Sequence, residues 1–397
     1  MNINKIFTNL ALTLFVFLFA LVLITNYISI ILSDQAYTLN LVAEISILGG
    51  ILLVSQILLY LVYRKKIIND NFLILLFIFI FYVFFWSLLN FFSYGGLFNF
   101  LATLQTLETL ILWFSLLFIG YNLNFESKLK YFVLFSFWLS LFSTIIFSIQ
   151  SNTIMIYTKL FFENQDVDVG YQYLSRALLV IIVFSSAFIE KDIWRSLLLI
   201  AGAFLLFSIG SRSEFFAFIF SIFFIFSINF LRIGFSIKYI IGIFFLFGLS
   251  SFLFYNYLDV FLESRFSDIL NMENSTSWNA RENSQDVALK QIEEFPLFGK
   301  YGGHISEYGI RGYSHNILSA WVNYGLIGFL LYFSLVFYSF LYSLKFYLTD
   351  KNVSKGLWVT TILSLISLIL VISSKSIFWP FPALVWGMLL RFRLKSN

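Results

Sequence analysis

Residues 279–328, NARENSQDVALKQIEEFPLFGKYGGHISEYGIRGYSHNILSAWVNYGLIG, begin as a long polar excursion and return abruptly to apolar helix at Ser314-His315-Asn316. Everything around this stretch is mostly apolar helix. The contrast points to a membrane protein with one large loop, and both histidines of the chain, His304 and His315, fall inside it.

Composition agrees. Hydrophobic residues make up 60% of the 397 and charged residues 12%, with a mean hydropathy of +0.89; a soluble domain carries about 25% charge. The fold class expected is therefore all-α, a polytopic integral membrane protein whose first partner is membrane lipid. The 54 Phe residues suit a lipid-facing surface better than a cofactor box. The absence of Cys excludes disulfides and thiolate metal sites. A net charge of +4 without a basic arm or soluble basic domain speaks against nucleic acid as a partner.

Apolar runs of spanning length fall near 10–32, 39–63, 71–92, 97–120, 129–149, 171–189, 193–210, 212–231, 236–257, 315–343, 356–374 and 377–392, which predicts about twelve transmembrane helices. A helix needs roughly 20 residues to cross a bilayer, and these runs are too long and unalternating for barrel strands. Leu10 to Leu32 is too long for a signal-peptide core and is read as a retained first span. The division is residues 1–257 with helices 1 to 9, an extracytoplasmic loop over 258–314, and 315–397 with helices 10 to 12, one integrated membrane domain.

Basic residues orient the chain. With the N-terminus cytoplasmic, the inside segments hold Lys5, Arg64, Lys65, Lys66, Lys128, Lys130, Lys191, Arg195, Arg232, Lys238, Lys345, Lys351, Lys355, Arg391, Arg393 and Lys395. Outside the long loop the opposite side has only Lys159, Arg176, Arg212 and Lys375. Both termini are expected inside and the large loop outside.

Most charges of that loop are explained by a solvated face. Asn279 followed by Glu282 reads as a capping box opening a short amphipathic helix that Pro296 and Gly299 close. Helical phasing places Arg281, Ser284, Gln285, Ala288, Ile292 and Phe295 on one face, opposite Glu282, Asn283, Asp286, Lys290, Glu293 and Glu294. Arg281 thus lies on the docking side, the alternative being a snorkelling or structurally paired arginine. Ser314 is a natural N-cap, which puts His315 in the first turn of the tenth span. There the helix dipole disfavours imidazolium and leaves a neutral base able to take a proton, against the plainer reading of a capping or interfacial residue. His304, in a Gly-Gly-His loop, has no comparable setting, and the two histidines lack a metal-ligand spacing.

Upstream, Gly210-Ser211-Arg212-Ser213-Glu214 forms a tight outer turn. Ser211 and Glu214 make a second capping box, so Arg212 heads a helix where backbone N–H groups and a guanidinium both favour a phosphate-like anion; pairing of Arg212 with Glu214 is the alternative. Arg176, about a turn into the sixth span, is an intramembrane charge and so a functional candidate. Glu44 and Glu108 also lie within apolar spans and could pair with each other or with a base.

The outer Ser211-Arg212 turn, the loop with Arg281, Ala288, Leu289 and Phe295-Pro296-Leu297-Phe298-Gly299, and then His315-Asn316, Leu318, Trp321 and Gly325 to Gly328 resemble the O-antigen ligase and O-antigen polymerase superfamily. The matching residues cover roughly 210–328. Two departures stand out: Lys300-Tyr301 interrupts a glycine-rich continuation before Gly302-Gly303, and no family motif surrounds Arg176. The resemblance implies a membrane glycosyltransferase of the bacterial plasma membrane, active at the outer face without metal, nucleotide or other cofactor. Its partners would be undecaprenyl-pyrophosphate-linked oligosaccharides and a chain-length regulator protein. Arg212, Arg281 and Arg176 would bind the donor pyrophosphate and His315 would be the catalytic base, with Ser211, Glu214 and Asn316 in support. Arginines at that depth can neutralise the leaving pyrophosphate, a task otherwise done by a divalent ion. Compact size and the lack of an appended soluble domain favour polymerase, which makes surface polysaccharide such as lipopolysaccharide O-chains or capsule, over ligase. From another class, a twelve-span transporter or lipid-linked oligosaccharide flippase would need polar residues along a midplane pathway and a repeat between halves, and neither is evident.

Overall fold

The computed structural model describes residues 3–33, 49–53, 56, 70–125, 127–151, 153, 155–156, 171–233, 276–309, 314–350 and 352–396. Among them the regular elements are helices alone: α1 (Ile3–Phe15), a π turn (Val16–Ala20), α2 (Leu21–Ser33), α3 (Asn71–Tyr94), α4 (Gly96–Asn122), α5 (Ser127–Ser151), α6 (Tyr171–Ala187), α7 (Asp192–Ser208), α8 (Arg212–Ile233), α9 (Thr276–Glu294), α10 (Gly303–Tyr308), α11 (Leu318–Thr349), α12 (Lys355–Ser373) and α13 (Pro382–Ser396).

Seven helical segments among the described residues are long and apolar enough to cross a membrane: Asn4–Ile28, Asn71–Tyr94, Gly96–Asn122, Ser127–Ser151, Arg212–Asn229, Leu318–Thr349 and Lys355–Ser373. The spans expected at 171–189, 193–210 and 377–392 are helices of 17, 17 and 15 residues. Most of the span expected at 39–63 and all of that at 236–257, together with Glu44, lie outside the described residues, as do 258–275 and 310–313 of the expected loop. Phe81, Phe85, Phe135, Phe142, Phe220 and Phe223 all point outward, an apolar surface that water would not tolerate and lipid does.

The centre of the bundle is α12 and α13. The latter lies so close to α4 that a Cβ on Gly120 would stand 2.2 Å from the Leu384 carbonyl and one on Gly387 2.3 Å from the Leu117 carbonyl. Small residues let two backbones meet, which is how helices associate where no hydrophobic force drives them together. At the end of the bundle away from His315, Asp70 caps α3 by accepting from the Phe72 and Leu73 amides at 3.0 Å. Its second oxygen holds Arg393 Nε at 2.7 Å, and that guanidinium lies 4.0 Å over the Tyr342 ring.

Two sequence expectations change here. The chain is already helical from Thr276, so Asn279 lies within α9 instead of capping it. The tenth span begins at Leu318, not at His315, and it is broken at Gly325, where φ is +65°. The break frees backbone groups that water cannot satisfy inside a bilayer. Four of them find partners outside the helix: the Val322 carbonyl accepts from Lys300 N at 2.7 Å and Leu326 N donates to the Leu297 carbonyl at 3.1 Å. The Asn323 carbonyl accepts from Trp86 Nε1 at 3.1 Å and the Tyr324 carbonyl from the Tyr82 hydroxyl at 2.8 Å. Trp321 Nε1 completes the seam by donating to the Pro296 carbonyl at 2.7 Å. The Phe-Pro-Leu-Phe-Gly segment is thus stitched to the broken helix, and a Cβ on Gly325 would sit 2.2 Å from the Leu297 carbonyl.

Gly325→Val should therefore lose on the order of 3 kcal/mol, from forced positive φ together with the backbone clash. The measurement is the amount of protein retained in the membrane and its melting temperature, and a variant that accumulates and melts like the parent would refute this reading of the break.

Candidate active site

Ser211 precedes α8, whose first residue is Arg212, as the sequence suggests. The Glu214 carboxylate does not reach back to the backbone as a capping box would. One oxygen accepts from the Ser211 hydroxyl at 2.5 Å and the Ser213 hydroxyl at 2.7 Å, while the other lies 2.6 Å from Lys375 Nζ. Both partners of this ion pair are nearly inaccessible, 8% and 1% exposed in their side chains. Lys375 follows α12 in a turn where its amide and that of Ser374 both donate to the Leu370 carbonyl. The pair ties the start of α8 to the end of α12.

Arg176 approaches from α6. Its Nη2 donates to Gln172 Oε1 at 3.1 Å and its guanidinium lies 5.4 Å from the Tyr173 ring centre. Its Nε is buried without a hydrogen bond among the described residues. The charge of Arg176 acts on both Glu214 and Lys375. Burial pulls the Lys375 ammonium below its ordinary range, and Glu214 holds it up in part.

Arg281 comes from α9, where it is half-buried. Ser284, Ala288, Gln291 and Ile292 of that helix are buried, with Ala288 and Ile292 packed against Val322, while Glu282, Asn283, Asp286, Lys290, Glu293 and Glu294 are exposed. Two members of the expected docking face differ. Phe295 is 46% exposed, and Gln285 is exposed but accepts from Asn316 Nδ2 at 3.2 Å.

His315 lies in a turn ahead of α11. Asn316, not Ser314, does the capping there: its Oδ1 accepts from Leu318 N at 3.0 Å and from the Ser314 hydroxyl at 2.7 Å. A helix dipole acts within the first turn, so the expected reason for a neutral His315 is replaced by others. Burial is the largest, followed by the positive charges of Arg281 and then Lys375, and together they lower its pKa from 6.5 to about 4. The structure thereby brings His315, Arg281, Lys375, Glu214 and Arg176 into one electrostatic neighbourhood. Arg212 heads α8 two residues from Glu214 and is half-buried.

Sequence reading missed two residues. Lys375 was visible only as a basic residue on the sparsely charged side, and its position between two apolar spans was the available signal. His304, assigned no comparable setting, is in fact 4% exposed. Its Nε2 lies 3.2 Å from Gln105 Oε1, and burial lowers its pKa to about 4. Glu108 sits on the outward face of α4. Among the described residues no three His, Cys, Asp or Glu side chains gather as a metal ion would require.

Fold and site together define an all-helical membrane protein that brings the buried Lys375 and half-buried arginines together with a neutral histidine. Residues 197–333 match the model of the O-antigen ligase family, in line with the resemblance carried by the motifs of that stretch. That segment runs from within α7 past the break at Gly325; it holds Arg212, Glu214, Arg281, His304 and His315 and leaves Arg176 and Lys375 outside. No curated protein matches the chain.

Proposed function

We propose that this protein transfers a glycan from a lipid pyrophosphate to a sugar hydroxyl, and that it acts as a polymerase of undecaprenyl-pyrophosphate-linked repeat units at the outer face of the bacterial plasma membrane. One observation carries the reading. Among the described residues, Arg176, Arg281 and Lys375 share a neighbourhood with one buried carboxylate, Glu214, and with a neutral His315. Such an excess of positive charge, with Lys375 buried and both arginines half-buried, suits a multiply charged anion, and a pyrophosphate diester is a dianion.

The chemistry follows from the placement. The acceptor hydroxyl gives its proton to the His315 imidazole as its oxygen attacks the anomeric carbon. The bond from that carbon to the pyrophosphate oxygen breaks, and the departing lipid pyrophosphate leaves its added charge among Arg281, Arg176 and Lys375. Arg212, at the head of α8, has its backbone and guanidinium suited to the same anion. Glu214 holds Lys375 in place, aided by Ser211, and Asn316 fixes the turn that carries His315. A chain-length regulator would be a separate protein partner.

The match to the O-antigen ligase family favours a second reading, in which the finished chain is moved to lipid A core or another acceptor. A deletion strain separates the two: single repeats on the surface acceptor mean a lost polymerase, and full-length chains stranded on the carrier lipid mean a lost ligase. Purified protein in liposomes with lipid-linked repeats tests the transfer itself, and movement of donor across the bilayer without any new glycosidic bond would overturn it in favour of a flippase.

The same assay has a pH signature. A histidine at 6.5 loses its base form below about pH 6.5, whereas His315 stays neutral until the pH approaches about 4. kcat/KM, which reports the free enzyme, should stay level from about pH 8 to about pH 5 and fall below that. kcat should fall at a higher pH, because the bound dianion offsets the cations that depress the imidazole. A kcat/KM profile that already halves near pH 6.5 would remove His315 as the base.

A further inference from the structure

Residues 295–303 belong, by sequence, to the large loop outside the membrane, yet the fold carries them back among the spans. The Phe298 ring stacks on Trp86, with centroids 6.0 Å apart and planes 12° from parallel. Trp86 lies about two turns, roughly 12 Å, inside the Tyr94 end of α3. The Leu297 carbonyl accepts from Leu326 N at 3.1 Å, about two turns past the start of α11. The Tyr301 hydroxyl meets that of Thr106 at 3.1 Å, about three turns into α4. Three helices thus place the segment well below their own ends.

We propose that residues 295–303 form a re-entrant turn seated inside the bilayer, with Leu297 and Phe298 resting against the acyl chains of the leaflet on the His315 side. The assignment depends on the chain spanning a membrane and not on the reaction it catalyses.

Backbone pairing supports it. A turn in water can leave its carbonyls and amides to the solvent, whereas at membrane depth irregular backbone survives only where protein satisfies it. Here the Phe295 carbonyl accepts from Gly299 N at 2.8 Å, that of Lys300 from Gly303 N at 2.8 Å and that of Gly302 from Ile305 N at 2.9 Å. The Gly303 carbonyl accepts from Gln291 Nε2 at 3.1 Å. With the bonds that join this segment to the break in α11, they keep the turn's backbone engaged within the protein. Position 296 is proline, which has no N–H to satisfy.

The side chains agree. Leu297 is 60% and Phe298 63% exposed, a pair of large apolar groups on a surface that continues apolar beyond them. Phe92, Tyr94, Leu97 and Phe98 of α3 and α4 are each more than half exposed. These four lie nearer the helix ends than Trp86 does, so a bilayer that covers them also covers Phe298. A contiguous apolar surface of this kind marks contact with a membrane or a protein, and its continuity with the outward phenylalanines of α3 favours lipid. Lys300 is the one charged residue of the segment. Its ammonium reaches Glu294 at 3.9 Å, toward polar α9, as a long basic side chain does beneath a membrane surface.

The chain has no Cys, so single cysteines can carry a nitroxide label in the full-length protein. Phe298→Cys and Leu297→Cys report on the turn, Phe85→Cys on the outward side of α3, and Asp286→Cys on the exposed side of α9. In vesicles of phosphatidylcholine and phosphatidylglycerol, collisions are measured with oxygen, which concentrates in hydrocarbon, and with a polar nickel chelate, which hydrocarbon excludes. The oxygen-to-nickel ratio at positions 297 and 298 should lie within about twofold of that at 85 and exceed that at 286 by about tenfold or more. A ratio like that at 286 puts the turn in water and overturns the proposal. Low collision with both reagents, or broadening by the label of a second copy, overturns it too, because protein then covers the turn. Either label suffices, so if one variant fails to accumulate the other decides.

Discussion

His315→Ala is expected to accumulate in the membrane like the parent and to lower the transfer rate by a factor of about 10² to 10⁴, the usual worth of a positioned general base. The residue is half-buried in a turn outside the helices, and the capping of α11 depends on Asn316 instead. Its loss therefore leaves the scaffold standing. Arg281→Ala should cost about 10² to 10³, by removing a cation from the leaving group, and should act on a different parameter. With Arg281 gone, His315 loses one of the charges that depress its pKa, so the acid limb of kcat/KM should move to higher pH. Arg281→Lys should recover only part of the rate if the guanidinium makes a two-pronged contact. Glycan ladders from membranes, read beside the amount of protein present, would measure all three. Parental ladders from both alanine variants would dispose of the proposed roles.

Lys375→Met is expected to be the most damaging single change in the basic cluster, and for two separable reasons. It strands the buried Glu214 carboxylate, which typically costs about 3–5 kcal/mol, and it removes a cation that acts on His315. The double variant Glu214→Gln with Lys375→Met separates them. Replacing both charges by neutral groups of similar size should restore accumulation and melting temperature, because a buried pair contributes little net stability over an apolar substitute. If Lys375 serves the pyrophosphate, the double variant still binds donor weakly and the donor KM stays raised. Full recovery of transfer in the double variant would make the pair purely structural.

Legibility differed between parts of the chain for identifiable reasons. The buried face of α9 could be phased from sequence because helical periodicity is local, and Ser284, Ala288 and Ile292 are indeed buried. Its start could not, since Asn279 and Glu282 have the spacing of a capping box whether or not the preceding turn is helical, and the chain is helical from Thr276. The neutrality of His315 was anticipated for a reason that does not operate. A dipole argument needed the helix to begin at the histidine, but it begins at Leu318 and burial is the largest cause. Glu214 was expected to face its own turn, and one oxygen does accept from the Ser211 and Ser213 hydroxyls, but the other meets Lys375 from a segment 161 residues away in the chain.

What the sequence determined by itself was everything that depends on solvent and on short-range spacing: an all-helical membrane protein, a polar stretch holding Arg281 and His315, and a separate helix start holding Arg212. Bilayer burial imposes those features on composition and period directly. Only the tertiary structure decided which charges meet. The Glu214–Lys375 pair, the approach of Arg176, the contact of His304 with Gln105 and the break at Gly325 each join residues distant in the chain. Their energies come from desolvated Coulomb contacts and from backbone groups that must find partners where water is absent, and neither is written in the local pattern of any one segment.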